Sequence, residues 1–71
     1  GQLQPTDELA RLSPREREVM EFTLRGVPTP RIAEKLGISP GTVKNTKIRL
    51  YRKASVSTER ELVQKYMALL A

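Results

Sequence analysis

The sequence predicts an all-α fold, a bundle of four short helices, from two observations. Start signals of one kind recur along the 71-residue chain, because a serine or threonine directly precedes proline at Ser13-Pro14, Thr29-Pro30 and Ser39-Pro40. Such a hydroxyl accepts from the amides of a first helical turn, and proline suits the first helical position because it has no amide to leave unpaired. In addition, no segment alternates apolar and polar residues as a half-buried strand would.

The first predicted helix begins at Ser13, and Glu16 three residues later can complete a capping box. Gly26 lies where a left-handed residue would end this helix. Residues 1–11 are polar and show no sustained periodicity, so we expect a linker or arm there and a folded domain over residues 12–71. The apolar side chains predicted to form the core of that domain are Val19, Met20, Phe22, Ile32, Leu36, Ile38, Val43 and Leu50.

The second and third predicted helices follow each other closely. Thr29 is the expected cap of the second helix, which ends at Gly37. Ser39 opens the third helix, and its inward positions are Thr42, Val43, Leu50 and Ala54. Its outward positions are Lys44, Asn45, Lys47, Ile48, Arg49 and Arg52.

The fourth predicted helix begins near Ser57 or Thr58, where Thr58 and Glu61 can form another capping box. Its apolar residues are Leu62, Val63, Tyr66, Met67, Leu69 and Leu70. They cover more than one stripe of the helix, which is more than so thin a core requires. Either part of this surface meets a second copy of the chain, or all six residues serve a single chain's core and its end.

Positive charge is concentrated in the middle of the chain. The net charge of +5 divides into −1 over residues 1–28 (four basic, five acidic), +6 over 29–56 (seven basic, one acidic) and zero over 57–71 (two of each). Five cations and no anion lie on the third helix: Lys44, Lys47, Arg49, Arg52 and Lys53. Such a stripe is typical of a surface that binds a polyanion, although a charge run can also be a solvated face.

Two short helices joined by a turn that contains glycine are the minimal form of a helix-turn-helix, with the third helix as the recognition helix. Ala33 is small where the two helices must cross, and Gly37 can take the positive φ that the turn needs. A plain αα-hairpin in a small bundle would look similar. The cationic stripe on the outward face favours binding to double-stranded DNA, because lysine, asparagine and arginine contact phosphates and base edges.

Several other classes are excluded or disfavoured. The chain has no cysteine and no histidine, so disulfides and the usual zinc ligand sets are excluded. No apolar run approaches the ~20 residues that cross a bilayer, so a cytoplasmic protein is expected. There is no glycine-rich phosphate loop and no convincing carboxylate pair, so we expect no enzyme, no cofactor and no small-molecule ligand.

The segment from Leu12 to Val19 (LSPREREV) resembles the opening of the LuxR-type (GerE-like) helix-turn-helix domain. The resemblance continues through Gly26, residues 32–39 (IAEKLGIS), 42–44, 52–53, 56–57 and 61–63, and it covers roughly residues 12–66. It implies four helices, of which the third reads DNA and the fourth commonly forms the dimer contact. It also implies the C-terminal output domain of a bacterial transcription regulator, such as a response regulator, with residues 1–11 as the end of an interdomain linker.

Carried over by position, the resemblance assigns two sets of residues. The base contacts would be Lys44, Asn45 and Ile48. The phosphate contacts would be Thr29, Arg31, Thr42, Lys47, Arg49 and Arg52. The wide apolar surface of the fourth helix supplies the expected dimer interface, which comprises Leu62, Val63, Tyr66, Met67 and Leu70 and would give a homodimer on DNA.

The chain departs from the family pattern at three places. Thr46 stands where many members have histidine, and Ala54-Ser55 stands where they usually have Leu-Gly. We therefore expect a looser or differently packed junction after the third helix. Ile48 is apolar where a polar residue is common, which suggests contact with thymine methyl groups.

Two other functions compete with this one. Residues 38–44 (ISPGTVK) also resemble region 4 of a sigma factor, which binds a promoter element as part of RNA polymerase, but that match fades after Lys53. RNA polymerase would be a further partner under either reading. A protein-interaction module that uses the apolar fourth helix would instead bind DNA weakly and without regard to sequence.

Overall fold

The computed structural model describes residues 5–67, with side chains described from residue 8 onward. Over that range the chain forms five helices and no strand: α1 (Pro5–Ala10), α2 (Pro14–Leu24), α3 (Thr29–Leu36), α4 (Pro40–Lys53) and α5 (Glu59–Tyr66). The all-α prediction is confirmed. The four predicted helices correspond to α2 through α5, so the predicted third helix is α4.

Helix α1 was not expected, because residues 1–11 show no helical periodicity. Leu9 is half-buried against the core, and the Arg17 guanidinium of α2 donates to the Leu9 carbonyl at 2.9 Å. A helix of six residues is too short to be stable alone. Contacts with α2 and α5 therefore hold α1 in place, and such contacts leave no periodic signal in the sequence.

Side-chain caps begin three of the helices as the sequence indicates. The Glu16 amide donates to Ser13 Oγ at 3.1 Å and the Ser13 amide donates to Glu16 Oε1 at 2.9 Å, which is the predicted capping box. Ser39 Oγ accepts from the Thr42 amide at 3.1 Å. Thr58 Oγ1 accepts from the Glu61 amide, also at 3.1 Å.

Two of the predicted caps differ in detail. Thr29 is the first residue of α3 rather than its cap; Pro28 holds the cap position and makes no side-chain cap bond. The Thr29 hydroxyl accepts from Lys47 of α4 instead. At α5 the Glu61 carboxylate accepts from the Ser57 amide at 2.7 Å. A capping box would have used the amide of Thr58, which is one residue later.

Helices α2, α3 and α4 end in the same way, at a left-handed residue followed by a bond that spans five positions. The left-handed residues are Gly26, Gly37 and Ser55, with φ of 81°, 68° and 59°. The next amide then donates to a helix carbonyl at 3.0 Å in each case, for example Val56 to Tyr51. Ser55 is the one residue other than glycine with positive φ in the described part of the chain.

The core lies between helices α2 to α5, with α2 packed against α3, α4 and α5, and with α3 packed against α4. Its buried apolar side chains are Leu12, Val19, Met20, Leu24, Ile32, Ala33, Val43, Leu50, Ala54, Leu62 and Tyr66. Five of the eight predicted core residues are among them, and Phe22, Leu36 and Ile38 are partly buried against the same cluster. The buried hydroxyls of Thr23 and Thr46 donate to the carbonyl four residues earlier, at 2.8 Å each.

The junction between α4 and α5 is held by a buried side chain and by the hydrogen bonds of Lys65. Ala54 is buried despite its small size, and the Lys65 ammonium donates to the Ala54 carbonyl at 2.6 Å. The same ammonium pairs with Glu8 of α1 at 2.9 Å. Of the two alternatives that the sequence left for this junction, looser or different packing, the structure favours the second, because the charged side chain of Lys65 links α1, the end of α4 and α5.

Candidate nucleic-acid interface

One face of α4 is directed away from the core. Val43, Thr46 and Leu50 are buried on the inner side, and the outer side exposes Lys44, Asn45, Ile48 and Arg52. With 3.6 residues per turn, positions 44, 48 and 52 lie one above another and position 45 lies beside them. Ile48 is 56% exposed, which is unusual for a large apolar side chain. The three predicted base contacts therefore share one accessible surface.

The turn between α3 and α4 determines how this face is presented. Gly37 ends α3 in the left-handed conformation, and Ser39 caps α4 within three residues. Ile38 is partly buried between them and anchors the turn to the core. Helices α3 and α4 thereby pack directly on each other while the outer face of α4 remains exposed.

The cationic stripe of α4 separates into two groups. Lys47, Arg49 and Lys53 lie within 4.0 Å of a carboxylate, whereas over residues 8–67 no such ion pair is formed by Lys44 or Arg52. The sequence alone does not show which of the five cations form ion pairs within the chain. Their different environments mean that Lys44 and Arg52 present their charge to solvent, while the other three are partly neutralised within the chain.

Glu16 of α2 holds two of the neutralised cations. Its carboxylate lies 2.8 Å from Lys53 Nζ and 3.6 Å from Arg49 Nε, and its side chain is almost fully buried. Burial by itself would raise the pKa of Glu16, but the hydrogen bonds from Lys53 and from the Ser13 backbone outweigh it and leave the pKa lowered. Sequence analysis identified Glu16 only as a capping residue, because its second role depends on a helix 37 positions away.

Lys47 and Thr29, two predicted phosphate contacts, are brought together by the packing of α3 on α4. Lys47 Nζ donates to Thr29 Oγ1 at 2.9 Å and lies 3.4 Å from Glu59 Oε1 at the start of α5. No sequence signal links Glu59 to the predicted interface, since the contact crosses from one helix to another.

The remaining predicted phosphate contacts differ in their surroundings. Arg31 on α3 and Arg52 on α4 are exposed. Thr42 is also exposed, and its hydroxyl lies 2.9 Å from Ser39 Oγ at the beginning of α4. Arg49 is exposed over part of its length although it pairs with Glu16.

The predicted dimer residues do not form one surface. Leu62 and Tyr66 have no exposed area and belong to the core of the single chain. For these two residues the prediction is corrected, because a fully buried side chain cannot contact a second copy while the bundle stays intact. Val63 is partly buried against the core, Met67 is 48% exposed, and Leu70 lies outside the described residues.

A network of charged and hydroxyl groups joins α1 to α5. The Tyr66 hydroxyl donates to the Glu8 carboxylate, which also accepts from Lys65 Nζ at 3.0 Å. Burial, and then the bond to Glu8, raise the pKa of Tyr66. The bond from Tyr66, followed by that from Lys65, lowers the pKa of Glu8. The ionised Glu8 and the neutral Tyr66 are therefore the stable pair of states.

Two further properties concern the described residues alone. No helix among them combines the length and apolar character needed to cross a membrane. Likewise, no group of three or more carboxylates among the side chains described, those of residues 8–67, is placed to hold a metal ion.

Comparison with known proteins agrees with this geometry. The family of bacterial regulatory proteins called the luxR family (GerE) matches residues 10–66. An HTH-type transcriptional regulator in the exeN 3′ region of Aeromonas salmonicida is 44% identical over 57 residues, which are 80% of this chain and 29% of that protein. The transcriptional regulatory protein FixJ of Azorhizobium caulinodans is 43% identical over 63 residues, which are 89% of this chain and 29% of its own.

The chain thus spans less than a third of either of these relatives. No solved structure shows a significant match to it. The family match covers all the residues that form α2 through α5, and so includes the whole exposed face of α4. The chain belongs to the luxR family of bacterial regulatory proteins, as a DNA-binding helix-turn-helix domain.

Proposed function

We propose that the chain reads duplex DNA in a sequence-specific way by placing the outer face of α4 in the major groove. The observation that carries this proposal is that Lys44, Asn45 and Ile48 share one exposed face while the opposite face of the same helix is buried. Lysine suits guanine O6 and N7, and asparagine suits adenine N6 and N7. An isoleucine side chain can pack against a thymine methyl group.

Phosphate contacts on both sides of this face would set the register of the helix on the duplex. Arg52 is exposed on α4, and Arg31 and Thr29 are at the amino end of α3. Helix amino ends favour phosphates because their free amides and dipole are directed at the anion. Thr42 and Lys47, with Arg49 beyond them on α4, complete the proposed set.

The domain acts as a dimer on DNA in this proposal, with α5 nearest the partner. Met67 and the exposed part of Val63 are the apolar groups that the described part of α5 offers. Because this surface is small, we expect association of the isolated domain to be weak and to be favoured by DNA. Two copies would place their recognition helices on half-sites about one helical turn apart.

The proposal also places the chain within a larger regulator. Its named relatives are transcriptional regulators of more than three times the matched length, so the chain would be the output domain of such a protein. Residues 1–11 would connect it to a regulatory domain, as in a response regulator. It would act on DNA in the cytoplasm, with RNA polymerase as a further partner, and without catalysis or a cofactor.

Selection from a random duplex library at near-physiological salt, followed by sequencing of the bound pool, tests the proposal. We expect an enriched motif with two inverted half-sites about one turn apart. One asymmetric motif would instead favour the sigma region 4 alternative, for which residues 38–44 are the supporting feature. Binding that shows no enrichment and vanishes as salt rises would overturn sequence-specific reading and favour a protein-interaction module.

A further inference from the structure

Lys47 is the most enclosed cation of the α4 stripe, and its carboxylate partner comes from outside the helix-turn-helix pair. Its side chain is 12% exposed, whereas the side chain of Glu59 is 59% exposed. Thr29 Oγ1 accepts from the same ammonium and holds it at the amino end of α3. The Lys47 ammonium therefore has a fixed neighbour in Thr29 and an exposed acidic neighbour in Glu59.

We propose that Glu59 limits the affinity of this domain for duplex DNA by occupying the Lys47 ammonium, which binds a backbone phosphate when Glu59 is displaced. The inference rests on the proposed function, since it concerns a residue that competes with the phosphate at the same interface. Glu59 thereby becomes a determinant of affinity that belongs to α5 rather than to the recognition helix.

The contrast with Glu16 supports this role. Glu16 is buried, so its pairs with Lys53 and Arg49 are held by the packing of α2 on α4. Glu59 is exposed and lies 3.4 Å from Lys47, so rotation of one side chain separates the pair without disturbing the core. Water solvates the exposed carboxylate of Glu59, which weakens its pairing with Lys47. A phosphate that reaches Lys47 can therefore replace the carboxylate, at a cost in affinity.

The size of that cost follows from the weakness of the pair. Breaking an ion pair whose carboxylate is exposed, before a phosphate can bind, lowers affinity by about two- to fivefold. The effect is independent of DNA sequence, because phosphate contacts position the protein without reading bases. It also changes the salt dependence, because an ammonium already paired with a carboxylate displaces fewer counterions from the duplex.

Binding of mixed-sequence duplex DNA to the complete 71-residue chain, measured by fluorescence anisotropy over a range of salt concentrations, tests the inference. The variants are Glu59→Gln, Lys47→Gln and the double variant. Glu21→Gln is the matched control, since it removes the same charge from an exposed side chain of α2 that forms no ion pair within the described residues. Urea unfolding of each variant establishes that it is folded under the binding conditions.

We expect Glu59→Gln to lower Kd about two- to fivefold beyond any effect of Glu21→Gln. The slope of log K against log salt should steepen by up to about one. In the Lys47→Gln background the Glu59 substitution should give no more than the control. Because Glu59 also stabilises the first turn of α5, some loss of stability is expected, but a smaller folded fraction does not steepen the salt slope.

Two results would overturn the inference and leave the proposed function intact. One is an equal gain from Glu59→Gln and Glu21→Gln, which would reduce the effect to net charge. The other is an undiminished gain from Glu59→Gln when Lys47 is already replaced. If the unsubstituted chain bound duplex DNA without salt dependence, or did not bind it, the proposed function would fail and this inference with it.

Discussion

Lys53 at the end of α4 donates to the buried carboxylate of Glu16 at the start of α2, with 2.8 Å between Nζ and Oε1. The same carboxylate accepts from the Ser13 amide and pairs with Arg49. The Glu16 side chain therefore caps the first turn of α2 and also binds the carboxyl-terminal half of α4 through two ion pairs. The orientation of α4 depends on a buried residue that lies on another helix.

Glu16→Ala should lower the free energy of unfolding by about 2–3 kcal/mol, because it removes half of a capping box and leaves two cations without their carboxylate. Glu16→Gln retains a carbonyl oxygen for the Ser13 amide, so a loss of about 1 kcal/mol is expected. Urea unfolding of the two variants measures the difference. Equal losses in the two variants would show that the cap bond to the Ser13 amide contributes nothing beyond the ion pairs, and no loss in Glu16→Gln would show that the ion pairs with Lys53 and Arg49 contribute nothing.

Acid should destabilise the domain through Glu8 and Glu16. Both carboxyls have a pKa below the ordinary 4.5 in the folded chain, so the folded state binds their protons less tightly than the unfolded state does. Their contribution is complete above the ordinary value and is lost as the pH falls through the lowered values. Unfolding free energy measured downward from pH 6 should decline below about pH 5. Glu8→Gln should make that decline shallower, whereas an unchanged profile would contradict its link to Tyr66 and Lys65.

Ser55→Gly should raise stability by about 0.5–1 kcal/mol. Ser55 has φ of 59°, where a side chain is strained and glycine is not, and the added entropy of glycine in the unfolded chain offsets part of the gain. Gly37→Ala, with φ of 68° at the end of α3, is the reciprocal control and should destabilise by about 1–2 kcal/mol. Thermal unfolding compares the two, and a loss of stability on Ser55→Gly would show that the serine side chain has a compensating role.

Base and phosphate contacts should respond differently to truncation. Asn45→Ala should cost about 1–3 kcal/mol on the selected sequence and little on unrelated duplexes, because the asparagine reads base edges in the proposed complex. Arg52→Ala should weaken binding to both duplexes alike and reduce the salt slope by about one. Anisotropy titrations on the two duplexes separate these effects. If Asn45→Ala weakened both duplexes equally, its assignment as a base contact would be rejected.

Much of the fold could be predicted because it depends on local chemistry. Serine at positions 13 and 39 and threonine at position 58 cap their helices through bonds that span three residues, and such spacing can be read directly from the chain. The apolar stripes of α2 and α4 likewise follow helical spacing. Helix α1 was not predicted, because its six residues are held by side chains of other helices. These are Arg17, eight residues beyond its partner Leu9, and Lys65 and Tyr66, which are 57 and 58 residues beyond Glu8.

The sequence predicted which residues lie on the outer face of α4, but not which of the cations of α4 are paired with carboxylates. Helical periodicity places Lys44, Asn45 and Ile48 on one side, and the structure exposes all three. Which cations remain available depends on carboxylates from α2 and α5, and no spacing rule relates Glu16 or Glu59 to α4. The apolar residues of α5 show the same limit, because amphipathic spacing does not tell whether Leu62 and Tyr66 face the chain's own core or a second copy.

The sequence by itself determined four of the five helices in the described residues, most of their boundaries, the helix-turn-helix and the family, because these depend on bonds between near neighbours and on the order of residue types. Only the tertiary structure decided that Glu16 pairs with two cations of α4, that Lys47 lies between Thr29 and Glu59, and that α1 contacts α5 through Glu8. The physical reason is that electrostatic pairing and burial depend on distance in space. Residues 12 to 58 positions apart become neighbours only when the helices pack.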